Sequence, residues 1–95
     1  MKDNHICKEA LETWGGTAQM LVAVEEMSEL QKEILKNVNR KKDNRTQIIE
    51  ETADVLIMLE QLQLYYGIKQ EVENYMEGKL QIIAGRLTDL SLIHI

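Results

Sequence analysis

The apolar residues of this chain repeat with the period of an α-helix, and no proline interrupts the 95 residues. Between about residues 17 and 38, apolar side chains follow one another at steps of three and four residues, which places them on one helical face: Met20, Ala23, Met27, Leu30 and Ile34. Long aliphatic side chains without helix breakers favour helix over strand. The sequence therefore predicts an all-α fold.

Three further helices are predicted from the same periodicity, at about residues 6–14, 46–66 and 69–90. The pair Gly15-Gly16 is expected to separate the first two helices, and Gly67 is expected to end the third. Thr17 is the predicted N-cap of the second helix. Residues 39–45 contain no apolar side chain, which predicts a solvated loop.

The third predicted helix contains five consecutive apolar residues, 55–59, which occupy more than one helical turn. A helix that is apolar on all sides is a buried helix, and a chain this short can hardly surround one alone. We therefore expect a bundle of four to five helices, with the second and third as a central antiparallel pair, completed by homo-oligomerisation as a dimer or tetramer. Residues 1–90 form its single domain, and no role is assigned to the tail 91–95.

Composition restricts the class of protein. A net charge of −5 argues against nucleic acid as a partner, because phosphate backbones bind basic surfaces. The single cysteine, Cys7, cannot form an internal disulfide, which is typical of a reducing compartment. No apolar run is long enough to span a bilayer, and no signal peptide is recognisable. The simplest expectation is a cytoplasmic protein with no membrane partner.

Two acidic motifs are the most informative chemical feature. Glu26 and Glu29 are three residues apart on the second predicted helix, and Glu51 and Asp54 have the same spacing on the third. Residues at this spacing share a helical face, so two adjacent helices would bring the four carboxylates together. Asp54 also precedes the apolar run directly, which predicts a carboxylate in or beside a buried zone. Carboxylates in such a group repel one another unless a cation lies among them.

The residue types predict a hard divalent cation at this group. Oxygen ligands select Mg²⁺ first and then Mn²⁺ or Ca²⁺, and Mn²⁺ is the expected substitute for Mg²⁺. Zinc and di-iron sites are disfavoured, because the two histidines, His5 and His94, lie at the chain ends and only one cysteine is present. A magnesium ion bound by a few carboxylates keeps positions for water and phosphate oxygens. These motifs therefore indicate phosphate chemistry.

The two motifs together resemble a known family. Residues 24–30 read V-E-E-M-S-E-L and residues 50–57 read E-E-T-A-D-V-L-I. This pattern resembles the MazG-like all-α NTP pyrophosphatases, whose signature is E-E-x-x-E, a variable spacer and E-x-x-D. Gln19, residues 58–62, and the later pairs Lys79-Leu80 and Arg86-Leu87 are also similar to short single-domain members. The resemblance covers about residues 10–88.

The resemblance implies an enzyme that hydrolyses a nucleoside triphosphate, ribo or deoxy, to a monophosphate and pyrophosphate. It implies that the Mg²⁺ ligands are Glu26, Glu29, Glu51 and Asp54. The same four residues, together with Glu25, would form the catalytic group. Glu25 and Glu50 are candidates for an outer-shell or base role, although each is as easily a solvated neighbour. Lys79 and Arg86 are candidate phosphate contacts, and an equally good interpretation packs their stems along the helix with exposed charges.

Recognition of the base is less well defined by the sequence. Trp14 is a candidate for stacking on a nucleobase, and Gln19 or Asn37 for reading its edge. The burial usual for tryptophan favours a core position for Trp14 instead. The sequence does not distinguish dUTP, dCTP, a damaged nucleotide or a broad set.

Two alternatives to an enzyme remain open at this point. The first is a helical interaction module whose acidic stripe is solvated or binds a partner. The second is a family member that retains the metal site but serves as a nucleotide-binding or regulatory protein.

Overall fold

A computed structural model describes residues 1–89 of the chain. This part consists of four α-helices and contains no strand: α1 (His5–Trp14), α2 (Gly16–Arg40), α3 (Arg45–Tyr66) and α4 (Lys69–Thr88). The predicted all-α class is confirmed. The expectations for Leu90 and for the tail 91–95 lie outside the described residues. Within residues 1–89 no helix combines the length and the apolar character needed to cross a bilayer.

Glycines with positive φ angles mark two of the helix junctions. Gly15 lies between α1 and α2 at φ 89°, and its N–H donates to the carbonyl of Leu11 at 2.9 Å. Gly67 follows α3 at φ 65° and closes its last turn. Both conformations favour glycine, because a Cβ atom is strained at positive φ. The predicted Thr17 cap is wrong: α2 begins at Gly16, with Gly15 at the N-cap position and no side-chain cap.

The largest helix–helix interface joins α2 to α3. Ala23 of α2, with 1% of its surface exposed, packs in the core, to which α3 contributes the buried side chains of Val55 and Met58. At one end of the interface, a Cβ atom on Gly16 would collide with the ring of Tyr65. Glycine at position 16 therefore lets the start of α2 lie against the end of α3.

The loop between α2 and α3 is shorter and less solvated than predicted. Helix α2 continues to Arg40, and Lys41 then adopts a left-handed conformation at φ 55°. Asn44 is buried, with 1% exposure, and its Nδ2 donates to the backbone carbonyl of Glu33 at 2.8 Å and to Glu33 Oε1 at 3.0 Å. The expectation of a fully solvated segment at 39–45 was wrong at this residue, because its amide binds the side of α2.

The Asn44→Ala variant is expected to lower the free energy of unfolding by about 2 kcal/mol, since two hydrogen bonds to buried or charged acceptors are lost. Asn39→Ala, at an exposed position near the end of α2, is the control and should change stability by less than about 0.5 kcal/mol. Urea unfolding of both variants measures the difference. Equal effects would show that the Asn44 amide does not hold the loop.

An ion pair between a buried carboxylate and a half-buried lysine connects α3 to α4. Glu60 is 5% exposed, and Lys69 Nζ lies 2.7 Å from each of its carboxylate oxygens. Asn4, just before α1, adds a hydrogen bond from Nδ2 to Glu60 Oε2 at 3.1 Å. Hydrogen bonding from Lys69 is the main reason that the pKa of Glu60 lies below its usual value, against the opposing effect of burial. Three segments of the chain therefore meet at one carboxylate.

The apolar run at 55–59 is only partly buried within one chain. Val55 and Met58 lie in the core, whereas Leu56 is 59% and Ile57 is 42% exposed. Helix α4 has no buried residue at all. The prediction that residues 55–59 are buried on every side is therefore not met by the intramolecular contacts.

Candidate functional site

Three of the predicted carboxylates come together across the α2–α3 interface. Glu26 of α2 and Glu51 and Asp54 of α3 each place one carboxylate oxygen so that all three atoms lie within 4.8 Å of one another. We call these residues the acidic cluster. Its members come from both acidic motifs, which lie on separate helices.

Helical spacing explains how the acidic cluster forms beside the core. Glu51 precedes the buried residues Val55 and Met58 by four and seven positions, so it extends their face of α3. Glu26 follows Ala23 by three positions on α2. Ala23 is buried at the α2–α3 interface, and the next side chain along the same face of α2 meets those of α3.

Burial within the acidic cluster is uneven. Glu26 and Glu51 are half-buried, while Asp54 is exposed. Asp54 was expected to lie in or beside a buried zone. Its own side chain is exposed, whereas the next residue, Val55, is buried with 8% exposure. Asp54 lies at the edge of the buried face of α3, three positions after Glu51 and four before Met58, and its side chain is exposed. Asp54 therefore forms the solvent side of the acidic cluster.

The electrostatic state of the acidic cluster is unfavourable for three negative charges. The pKa of Glu26 is raised, first because burial penalises its charged form and then because Asp54 and Glu51 repel it. Glu51 Oε2 is buried and has no hydrogen-bond partner. Among residues 1–89, no lysine or arginine forms an ion pair with any of the three carboxylates. Within the described residues, the acidic cluster therefore has no ion-paired counter-charge.

A shallow cleft of about 150 Å³ opens beside the acidic cluster. Its walls are Val22 and Glu26 from α2, and Asp54, Ile57 and Met58 from α3. Ile57 and Met58 were not among the residues predicted for the site. They follow Asp54 by three and four positions, so helical spacing alone carries the signal that would have identified them.

The donor set of the acidic cluster suits a hard divalent cation. All its ligand atoms are carboxylate oxygens, which Mg²⁺ and Mn²⁺ prefer, and neither a histidine nor a thiol lies among them. A cation would also supply the missing partner of the buried Glu51 Oε2. The residues present therefore fit the metal that the sequence predicts.

The remaining acidic candidates lie outside the acidic cluster. Glu29 is exposed, and its Oε1 lies 3.4 Å from Lys32 Nζ, one turn further along α2. Glu25 and Glu50 are exposed as well. Of the four predicted metal ligands, the structure gathers three and leaves Glu29 on the adjoining surface of the same helix.

Two residues considered for contact with the base differ in burial from what was expected: Trp14, expected in the core, is exposed, and Gln19, expected to reach a base, is buried. Trp14 is 65% exposed at the end of α1, so its predicted core position is wrong: its ring lies on the outer side of that short helix. Gln19 is 7% exposed, which leaves its amide little access to a ligand. Asn37 donates from Nδ2 to the carbonyl of Lys42 at 3.2 Å and closes the loop after α2.

The basic candidates Lys79 and Arg86 lie on α4, and both are half-buried. Within the described residues, α4 contacts α3 but makes no contact with α2, which carries Glu26. A single chain therefore does not bring these two residues into the acidic cluster.

The raised pKa of Glu26 predicts a pH-dependent effect on stability. A carboxyl group with a raised folded-state pKa stabilises the fold below its usual value, near 4.5, and this contribution is lost as the pH rises through the folded-state pKa. Without divalent cation at pH 7, Glu26→Gln is therefore expected to raise the Tm by a few degrees. Below pH 4 the difference should disappear.

Thermal unfolding with and without Mg²⁺ measures this effect. Glu25→Gln removes the same charge from the exposed neighbouring position and is the matched control. Mg²⁺ should raise the Tm of the wild type more than that of Glu26→Gln. If Glu26→Gln and Glu25→Gln raised the Tm of the metal-free protein equally, the effect would be assigned to the net charge of −5 rather than to the acidic cluster.

Comparison of the chain with models of known protein families, with curated proteins and with solved structures finds no match.

Proposed function

We propose that this chain is a Mg²⁺-dependent nucleoside triphosphate pyrophosphohydrolase of the MazG-like all-α type, acting in nucleotide-pool sanitation or control. The observation that carries the proposal is the acidic cluster: three carboxylates from two helices, with one buried oxygen that lacks a hydrogen-bond partner. The two-part sequence motif supports the same function, since the cluster draws on both halves of it.

Glu26, Glu51 and Asp54 would hold the cation, and Mn²⁺ would serve as a substitute for Mg²⁺. Glu29 is the fourth proposed ligand. Its exposed pair with Lys32 is of the kind that contributes little to stability, so the side chain can turn toward the cluster at low cost. When bound, the cation neutralises triphosphate oxygens and lowers the pKa of a coordinated water.

The reaction cleaves the bond between the α-phosphorus and the oxygen that bridges to the β-phosphate. A water oxygen forms the new bond to the α-phosphorus, its proton is taken up by a base, and pyrophosphate leaves with the bridging oxygen. Glu25 and Glu50 are exposed next to cluster residues along the chain and are the candidate bases.

The proposed architecture places α2 and α3 as an antiparallel pair at the centre of the subunit. Two contacts support this direction: Gly16 at the start of α2 lies against Tyr65 at the end of α3, and Glu33 in the second half of α2 binds Asn44 just before α3. Subunits are proposed to assemble as a dimer or tetramer, for which the exposed Leu56 and Ile57 provide apolar surface.

A nucleoside triphosphate would lie in the cleft with its phosphates at the acidic cluster. Trp14 is exposed and available for stacking on a base, whereas Gln19 would need to move to reach one. Lys79 and Arg86 would contact phosphates only from a second subunit or after movement of α4, because their helix does not touch α2.

The second candidate function is a non-catalytic helical interaction or nucleotide-binding module that retains the acidic cluster. One observation favours it, namely the continuous exposure of apolar residues along α4, such as Met76, Leu80 and Leu87. Such surfaces are typical of helices that bind other helices.

Pyrophosphate release from a panel of canonical and deoxy nucleoside triphosphates, with and without Mg²⁺, tests the proposal. Metal-dependent release that Glu26→Ala abolishes would establish the enzyme and identify its preferred base. No release from any substrate, with Mg²⁺ binding still detected by calorimetry, would favour the nucleotide-binding module. The absence of both would leave only a helical interaction module.

A further inference from the structure

The chain exposes more surface than a compact monomer of its mass. Its accessible surface is 7460 Å², whereas a folded monomer of 11.0 kDa exposes about 5600 Å². The radius of gyration is 16.3 Å, against about 12 Å expected for this length. A standard protein interface needs only about 800 Å² from each partner. The excess surface is therefore sufficient for a stable dimer.

Much of the exposed apolar surface lies on α4. Leu80 is 62% exposed, Leu87 is 69% exposed and Met76 is 57% exposed, and all three lie on one face of the helix. Within residues 1–89, α4 packs against α3 and against neither α1 nor α2, and it has no buried residue. An isolated helix of this length is marginal in water without a packed apolar face. The free face of α4 therefore requires a covering surface.

A groove next to this face provides such a surface. It has a volume of about 670 Å³ and lies between α3 and the first half of α4. Its walls are mainly apolar and include Leu56, Leu59, Leu62, Val72 and Met76. Val72 and Met76 belong to the same stripe as Leu80 and Leu87, so one helix supplies both a wall of the groove and a ridge of matching chemistry.

The charges on α4 define the direction in which two copies can pair. Residues 69–78 carry one lysine and three glutamates, whereas residues 79–88 carry one lysine, one arginine and no acidic side chain. Antiparallel pairing places the acidic half of one helix alongside the basic half of the other, and it also opposes the two helix dipoles. Parallel pairing would bring the three glutamates of each copy together.

We propose that the groove between α3 and α4 binds the second half of α4 from another copy of this chain, in a two-fold symmetric dimer with antiparallel α4 helices. Each copy then inserts its ridge around Leu80 and Leu87 into the other's groove. This interface is self-complementary, as two-fold symmetry requires. The inference names the surface for the assembly proposed above, and it is independent of the pyrophosphohydrolase activity.

Light scattering of purified variants tests this interface. The wild type should have twice the 11.0 kDa chain mass. Leu80→Glu should raise the dimer dissociation constant at least about 100-fold, because a carboxylate would be buried in an apolar groove. Leu21→Glu, on α2, is the matched control, since Leu21 and Leu80 are both 62% exposed. It should remain dimeric.

Circular dichroism distinguishes dissociation from unfolding, since a dissociated but folded variant keeps most of its helix. Hydrogen exchange of the wild type provides a measurement without substitution: amides at 72–87 should become better protected as protein concentration rises through the dissociation constant. A monomeric wild type, dissociation by Leu21→Glu alone, or concentration-dependent protection confined to α2 would overturn the proposal. Mg²⁺ calorimetry on Leu80→Glu reports separately on the acidic cluster, so failure of the proposed function is distinguishable from failure of the interface.

Discussion

Asp54→Asn should reduce Mg²⁺-dependent pyrophosphate release by on the order of 10²- to 10³-fold in kcat/KM. The substitution keeps the size of the side chain but replaces a charged oxygen with an amide, and it leaves Glu26 and Glu51 as the only carboxylates of the acidic cluster. Because Asp54 is exposed, the fold should remain intact. The metal-free protein should be as stable as the wild type or more so, since repulsion within the acidic cluster decreases.

Asp43→Asn is the matched control for this experiment. Asp43 is exposed in the loop before α3 and belongs to no acidic cluster, so its amide variant should keep wild-type turnover. Activity is measured as initial rates of pyrophosphate release over a range of Mg²⁺ concentrations, and stability by thermal unfolding in a chelator. Full activity in Asp54→Asn would remove this residue from the proposed ligands. Marked destabilisation without metal would instead indicate that Asp54 has a structural partner.

Lys69→Met should lower the free energy of unfolding by about 3 kcal/mol. The variant keeps the length of the side chain but leaves Glu60, only 5% exposed, with Asn4 as its single hydrogen-bonding partner. An unpaired buried carboxylate costs far more than a surface ion pair contributes. Lys32→Met, which breaks the exposed pair with Glu29, should cost less than about 0.5 kcal/mol.

The pH dependence provides a second test of the Glu60–Lys69 pair. Because the pKa of Glu60 is lowered in the folded chain, the pair stabilises the fold above pH 4.5, and this stabilisation is lost as the pH falls through the folded-state pKa. The difference between wild type and Lys69→Met should therefore narrow in acid. Denaturant unfolding at pH 7 and at acidic pH measures it. The double variant Glu60→Met/Lys69→Met should recover much of the loss, and no recovery would show that Lys69 acts through packing alone.

Periodicity was sufficient to predict the helices, because their apolar residues follow the helical repeat, glycines mark two of the junctions and a polar stretch marks the third. The meeting of Glu26 with Glu51 and Asp54 was also predictable, since each motif flanks an apolar stripe and the two stripes must pack together. The exact position of Glu29 was not. An i, i+3 pair spans about 60° of helical face, so one member can join the acidic cluster while the other reaches solvent and Lys32.

The buried polar residues could not be predicted from local sequence. Asn44 lies in a stretch without apolar residues, and its burial depends on the carbonyl of Glu33, eleven positions away. Glu60 is buried because Lys69 and Asn4 approach from two other segments. Such partners are set by the tertiary arrangement, and composition carries no signal for them. The exposure of Trp14 similarly depends on where α1 lies against the other helices.

The separation of α4 from α2 has a consequence for how the sequence can change over time. In the described part of the chain, the acidic cluster belongs to α2 and α3, whereas the long exposed apolar stripe belongs to α4, which contacts α3 but not α2. Within one chain, substitutions at the exposed apolar positions of α4, such as Leu80 and Leu87, therefore need no compensating change around Glu26. An engineer can therefore redesign the exposed apolar face of α4 around Leu80 while α2 and α3 keep the residues of the acidic cluster.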